Sequence, residues 1–533
     1  MSEATQSCGP SQGRTRCIGF MLGMLVLATP AGAALPDYTL QLQARTNLIG
    51  NDSGAYNVAP GNLIAGSLQV PIARDRQVAF RLSITPEGSS AVWWGQDGRG
   101  SRIYLLPHFG EDARTGDPGI NSLGDIAFGV AGASDPVNNG LYLLNAQKPS
   151  EVRIFHEPLG ATDWQNLWLN EAGQLGFRAL ISGNRVYGLM TPSGTGFQTV
   201  LLAKEKALDP SSPYEFLYAP TLNDKGQIAG VADVAAISTE YFQELRVFNA
   251  DGTSTLIARS RGLDAASPIY RFASVQPALN NPGKIAFLGT VRDPTGKNLL
   301  TLWLWTGTEL RVLAQNGSGD IRELESFPPD INDSGLVVFR AFDSTGKRAV
   351  WVSDGQALKR VVTEHDIIPS DLGPARVDQE TPSSPVFAGG PLINARGDVS
   401  VVAGLAPPDN DQEEWGTAIY VAQAAFPPGE PDGGVDGGSP ETPDAGVDGG
   451  SSEMPDASVD GGSGDVPDSG TQTDGGTSGE TPDGGDSEPL PPGDKADSGC
   501  GCQTAPTAAL WPLLLLGLAR YLSARRRGAV DRG

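Results

Sequence analysis

The 533-residue chain carries 38 Lys plus Arg against 62 Asp plus Glu, a net charge of −24, and this acidity excludes nucleic acid, whose phosphates require basic partners. The charge is uneven: Glu430 to Asp497 hold 18 acids and one Lys, whereas residues 36–429 hold 42 acids and 30 bases. All four cysteines, Cys8, Cys17, Cys500 and Cys502, lie outside residues 36–429, so that part is neither a disulfide scaffold nor a thiolate metal site and must fold on its apolar core.

At the N-terminus Arg14 and Arg16 precede the apolar run Cys17 to Ala28, and Ala31-Gly32-Ala33 follows. A basic start, a short apolar stretch and small residues spell a secretory signal peptide over residues 1–33, cut at Ala33 or Ala34. A membrane anchor is the weaker alternative, because the run falls short of the roughly 20 residues that cross a bilayer.

From Pro36 to Ala424 short apolar runs alternate with Gly, Pro, Asn and Asp turns without a helical period, which predicts an all-β domain over residues 36–424. An alternating strand, Tyr38 to Ala44, comes first. A unit spelled Asn-x-x-Gly-x-(Ile/Val/Leu)-x-Phe then recurs at Asn121 to Phe128, Asn170 to Phe177, Asn280 to Phe287 and Asn332 to Phe339. Looser copies stand at Asn223 to Gly230 and Asn394 to Val401, and a worn one at Ala73 to Phe80.

The spelling has a backbone reason: Asn hydrogen-bonds the chain ahead of it and Gly supplies a positive φ, so together they turn the chain. Asn121, Gly124, Asn170, Gly173, Asn223, Gly226, Asn280, Gly283, Asn332, Gly335, Asn394 and Gly397 are therefore read as structural turn residues rather than ligand groups. Past each turn the residues alternate, as in Ile126-Ala127-Phe128, which suits a strand buried on both faces, one bulky and one small.

Each unit strand is followed by an aromatic-rich run, from Ala91 to Trp94 in the first unit to Ala418 to Val421 in the last. Six units add a third run, from Arg102 to Leu105 in the first to Leu358 to Val362 in the sixth. Unit starts are 48, 49, 53, 57, 52 and 62 residues apart, a period that predicts a single β-propeller of seven blades. The seventh unit lacks a third run, so the N-terminal strand is expected to complete the last blade and remove the exposed edges.

The tandem spelling from Ala73 to Val421 resembles secreted choice-of-anchor tandem repeat proteins with an Asn-x-x-Gly-x-x-Ala-Phe motif. That resemblance implies a propeller-like domain joined to a surface anchor and no established activity. The copies at Ala73 and Asn223 depart from the pattern.

Residues 425–498 turn to Pro, Asp, Gly, Ser and Thr, with Pro431-Asp432-Gly433-Gly434-Val435-Asp436 returning from Pro443 and Pro455. With almost nothing apolar to bury, this is a disordered, self-repelling stalk able to reach on the order of 200 Å. Its Asp-x-x-Gly repeats lack the ligand spacing of a calcium loop.

In residues 499–533, Cys500 and Cys502 precede an apolar stretch, Ala505 to Leu522, and Arg525 to Arg527. The stretch predicts a short transmembrane helix of about 27 Å with its arginines cytoplasmic. The order of parts resembles the MYXO-CTERM sorting signal, which implies a sorting protease in the inner membrane, processing or lipid attachment near Cys500 or Cys502, and transfer to the outer-membrane surface. An ordinary tail anchor is the alternative, weakened by Pro506, Pro512 and Arg520.

Neither a serine nucleophile elbow, nor a phosphate loop, nor His-Glu-x-x-His appears, so no catalytic, cofactor or metal residue is assigned. His108, His156 and His365 fall in different units and are read as separate turn residues. Asp409 to Glu414 is the densest acidic cluster, a solvated hairpin tip with a cation site as the minor alternative. Trp93, Trp94, Trp303, Trp305 and Trp351 are read as inter-blade core rather than a sugar platform. These readings converge on a non-catalytic surface module that binds or adheres to an unknown protein or glycan. A glycan-acting hydrolase or lyase using rim acids and a structural envelope component are the alternatives.

Overall fold

The computed structural model describes residues 35–46, 55–59, 62–64, 69–84, 89–236, 240–378, 386–410 and 412–427. The predicted signal peptide with Ala33 and Ala34, the stalk beyond residue 427, and the tail with Cys500 and Cys502 lie outside the described residues. Among the described residues no helix is long and apolar enough to cross a membrane.

Seven antiparallel sheets follow one another along the chain as blades I to VII of a β-propeller. In blade III the strands Ala161–Leu169, Leu175–Ile181, Asn184–Ser193 and Gly196–Lys204 pair in chain order, from the innermost strand outward. Blade VII is built from both ends of the domain: Asp37–Thr46 pairs with Gly416–Ala425, from Asp37 opposite Ala425 to Thr46 opposite Thr417. The N-terminal strand thus closes the ring.

The signature strands are buried on both faces, with Ile126, Ala127 and Phe128 all at 0% exposure. Ile126 and Phe128 pack toward Ala79 and Val92 of blade I, while the small Ala127 admits Trp164 and Leu169 of blade III. Seven buried clusters result, one on each seam, including Phe80, Trp93, Ile419 and Val421 between blades I and VII. Trp93, Trp303 and Trp351 belong to these clusters, and Trp94 and Trp305 pack against them.

The structure adds an innermost strand ahead of each motif turn, which the three apolar runs per unit do not announce. Continuous in blade III, it comes elsewhere in short pieces, such as Arg114–Thr115 and Gly119–Ile120 in blade II, Phe216–Leu217 and Thr221–Leu222 in blade IV, and Arg271–Phe272 and Ala278–Leu279 in blade V. Pro118, Pro220 and Pro277 stand in the gaps, and a residue without an N–H cannot continue the ladder. A further hairpin, Ile367–Ser370 with Gly373–Val377, joins the edge of blade VII and accounts for the long last period. It is held by Arg45, whose Nε and Nη2 each lie 2.8 Å from an oxygen of Asp371.

At each motif turn the Asn Oδ1 accepts the backbone N–H four residues on, at 2.8 Å from Gln174 to Asn170 and from Lys284 to Asn280. Its Nδ2 has a second use, because it donates to the backbone carbonyl of the corresponding Asn in the next blade. The links run from Asn121 to Asn170 at 3.4 Å, then to Asn223 at 2.9 Å, Asn280 at 3.2 Å, Asn332 at 2.9 Å and Asn394 at 3.1 Å. Asn394 then donates to Ala73 at 3.0 Å. A parallel chain of bonds joins the following residues, as in Glu171 N–H to Asp224 Oδ1 at 3.0 Å and Asn281 N–H to Asp333 Oδ1 at 2.8 Å. The turn residues therefore also staple neighbouring blades near the axis. In the worn first copy Arg76 takes the left-handed place of glycine, at φ +72 against +93 at Gly335.

Candidate functional site: the central channel

The two rims of the propeller differ. One carries the tight motif turns and short hairpins, whereas the other carries longer connections such as 106–113, 205–215 and 260–270.

Below that rim the innermost strands line the channel. Gln276 Nε2 of blade V donates to Gln69 Oε1 of blade I at 2.9 Å, a contact between blades that are not neighbours in the ring, so these side chains bridge the channel. Both stand four residues before the motif position. By register the same place is held by Asp117 in blade II and Asn166 in blade III, while Ala219, Pro328 and Gly390 are the slighter residues there in blades IV, VI and VII. A Cβ on Gly390 would lie 2.7 Å from Pro328 O and 3.1 Å from Gln69 Nε2, so the bridging glutamine fits only beside glycine.

Charge enters from a second register position, eight residues after the motif start, where blades I, III and VI carry Arg81, Arg178 and Arg340. Arg81 Nε lies 3.4 Å from Asp117 Oδ1, and Asp117 keeps 44% of its side-chain surface accessible. Enclosure by protein nevertheless raises the Asp117 pKa, opposed by Arg81. A carboxylate both accessible and enclosed sits in a recess rather than on an open face. Arg340 is chelated by Glu325, at 3.0 and 2.9 Å, and its Cζ lies 3.9 Å from the centre of the Phe327 ring. Burial lowers the pKa of both Arg178 and Arg340.

Four polar atoms of this region have no hydrogen-bond partner among the described residues: Gln69 Nε2, Arg81 Nε, Asn166 Oδ1 and Arg178 Nε. Buried polar atoms are nearly always paired, so four orphans in the channel-lining set leave hydrogen-bonding capacity there that the described residues do not use.

The assigned turn residues Asn121, Gly124 and their counterparts lie at the opposite rim and take no part in this cluster. The channel residues carried a signal of their own: Pro-x-(apolar)-Asn precedes five of the turns, and Phe-Arg closes three signatures at Phe80-Arg81, Phe177-Arg178 and Phe339-Arg340. His108 is exposed between blades I and II, and His156 Nδ1 lies 2.9 Å from Asn139 O. His365 meets Glu364 and Asp378, their ligand atoms within 4.8 Å of one another. Arg376 already bonds Asp378 at 3.0 Å and Arg348 pairs with Glu364 at 3.9 Å, so a cation there would displace two guanidinium groups. At the acidic hairpin Asp409 is exposed, and Asp411 lies outside the described residues.

The model of a family of unknown function, DUF7453, matches residues 57–323 and again residues 169–426. The chain belongs to this family. No curated protein matches the DUF7453 chain. Among solved structures it is similar to the β-propeller domain of the Trilobed protease from Pyrococcus furiosus, of open velcro topology, at 12% identity and a TM-score of 0.45, covering 69% of this chain and 99% of that one. It is similar also to oligogalacturonate lyase from Vibrio parahaemolyticus, at 11% identity and a TM-score of 0.40 over 73% of this chain and 98% of that one. Virginiamycin B lyase from Staphylococcus aureus matches the DUF7453 chain at 12% identity and a TM-score of 0.38, over 72% and 99% of the two chains.

Proposed function

We propose that the protein is a cell-surface binding module whose channel, open at the long-connection rim, receives a polar ligand. The observation that carries this reading is the set of unpaired polar atoms on Gln69, Arg81, Asn166 and Arg178. Two carboxylates of the channel region are engaged structurally, Asp117 by Arg81 and Glu325 by Arg340, which favours recognition over turnover. The address rests on the sequence: a signal peptide exports the chain, the acidic stalk holds the propeller away from the envelope, and a sorting protease acts at Cys500 or Cys502 before the protein is anchored in the outer membrane.

Incubating the purified protein with glycan and envelope-protein arrays, while following both retention and breakdown, tests this. Retention of intact ligand is expected. Retention of nothing would favour a structural envelope component. A glycan-acting enzyme is favoured by one observation, the raised pKa of the accessible Asp117, since such a carboxyl can hold a proton for transfer. Ligand cleavage lost on Asp117→Asn would establish that reading instead. For the anchor, replacing Cys500 and Cys502 together with Ala is expected to leave the tail uncut and the protein out of the surface fraction.

A further inference from the structure

Of the three arginines at the shared register position, one lacks the partner that the other two have. Each reaches an innermost-strand carbonyl of the next blade: Arg81 to Thr115 at 3.5 Å, Arg178 to Leu217 at 3.3 Å and Arg340 to Gly389 at 2.7 Å. Arg81 then meets Asp117, and Arg340 meets Glu325. Arg178 Nη2 instead donates to Gln165 Oε1 at 2.7 Å, a neutral amide from the innermost strand of its own blade, as Glu325 is for Arg340. Asp163 reaches this pair only through Gln165 Nε2, at 2.8 Å. Arg81 Nε also lacks a hydrogen-bond partner but has the Asp117 carboxylate at 3.4 Å, whereas Arg178 has no carboxylate bonded to it among the described residues; that is costly, and the cost falls when an anion from outside takes up the guanidinium.

We propose that Arg178, with Gln165 and Asn166, is the anion subsite of the channel and that its ligand is an acidic sugar, the uronate carboxylate seating on the guanidinium. This rests on the binding reading above and names its ligand class. Four of the seven residues sharing the channel position are amides or a carboxylate, Gln69, Asn166, Gln276 and Asp117, which can bond hydroxyls. The rim points the same way. Arg271 and Arg292 stand over the rings of Tyr241 and Tyr270, 5.5 and 3.9 Å from the centroids, and neither has a carboxylate partner among the described residues. On a chain of net charge −24 such an unneutralised pair draws an anion toward one place.

Calorimetry on the full chain at low salt, comparing uronate oligosaccharides with their carboxyl-reduced counterparts, tests the inference. Wild type is expected to favour the uronates at least tenfold, and the preference to fall with added salt. Gln165→Glu offers Arg178 the internal carboxylate that Arg340 already has, so it is expected to abolish the preference, although it gives up the Nε2 bond to Asp163. Arg178→Gln is expected to abolish it too. A preference that survives Gln165→Glu overturns the subsite. Equal affinity for charged and reduced sugars overturns the acidic class but leaves the binding module standing, whereas binding of neither overturns both. Capture of peptides through their terminal carboxylate, sensitive to Gln165→Glu, would replace the sugar with a peptide.

Discussion

Arg76 of the first blade grips Asp398 of the last, Nε to Oδ2 at 2.9 Å and Nη2 to Oδ1 at 3.1 Å. Asp398 is wholly buried and also accepts Asn394 Nδ2 at 3.1 Å and Ala424 N–H at 2.9 Å. One carboxylate thus gathers the worn repeat, the last motif turn and the closing sheet at the seam where the ring could open. Arg76 does so from φ +72, a conformation that costs a non-glycine residue about 1–2 kcal/mol. Arg76→Ala removes the nearer cation, leaving Arg396 Nε at 3.9 Å, and leaves the strain, so it should lower stability to urea by about 2–4 kcal/mol, near the effect of stranding a buried charge. Arg76→Gly should lose about 1 kcal/mol less, because the strain goes with the charge. Equal midpoints for wild type and the Ala variant would show that the seam is held elsewhere.

The staple and the turn at Asn280 can be separated by chemistry. Asp keeps the oxygen that accepts Lys284 N–H at 2.8 Å but cannot donate to Asn332 O, which Asn280 reaches at 2.9 Å. If the residue served its own turn alone, Asn280→Asp would match wild type. The inter-blade bond predicts a loss of about 1–3 kcal/mol for Asn280→Asp, with an ionised oxygen now facing a carbonyl, read from urea unfolding at neutral pH.

These contrasts show what the sequence could convey. The turns, the second and third strands and the closing role of Tyr38 to Ala44 were legible because each rests on local spelling: a glycine where φ is positive, alternation where two faces are buried. The innermost strand was not, since pieces as short as Thr221–Leu222 are too brief for alternation to register, although Pro220 ahead of them was a usable mark. The Asn staples and the channel arginines depend on blades 50 or so residues apart coming together. A Phe-Arg pair repeated three times hinted at a shared position, but only the ring shows that Glu325 answers Arg340 while Gln165 answers Arg178.

Asp330 ties blade VI to blade VII by accepting Ile331 N–H at 2.9 Å and Ile393 N–H at 2.8 Å. Burial pushes its pKa from 3.8 up to about 7, against the opposing pull of those two bonds. The folded chain therefore holds a proton that the unfolded chain releases near pH 4, so this group's stabilisation is full below about pH 4 and is lost as pH rises to about 7. Other carboxylates, such as Asp343 with its lowered pKa, work in the opposite sense at lower pH. The urea midpoint of wild type relative to Asp330→Asn isolates the effect. That difference should shrink steadily from pH 4.5 to pH 7.5, and a flat difference would mean that Asp330 titrates alike in both states.

The channel bridge makes a prediction about coupling. A methyl group at Gly390 would sit 2.7 Å from Pro328 O and 3.1 Å from Gln69 Nε2, while Gln69 is held from the far side by Gln276 at 2.9 Å. The carbonyl lies in the short gap between Ile321–Leu324 and Asp330–Ile331, pinned at both ends by the sheet, so Gly390→Ala should cost about 1–3 kcal/mol by overpacking. The Gln69 share of that cost disappears when Gln69 is itself shortened. In a double-mutant cycle Gly390→Ala with Gln69→Ala should therefore be less destabilised than the sum of the single changes, by about 0.5 kcal/mol or more. Strict additivity would place Gln69 away from Gly390, whereas the predicted coupling would place the two side chains in contact at the channel waist.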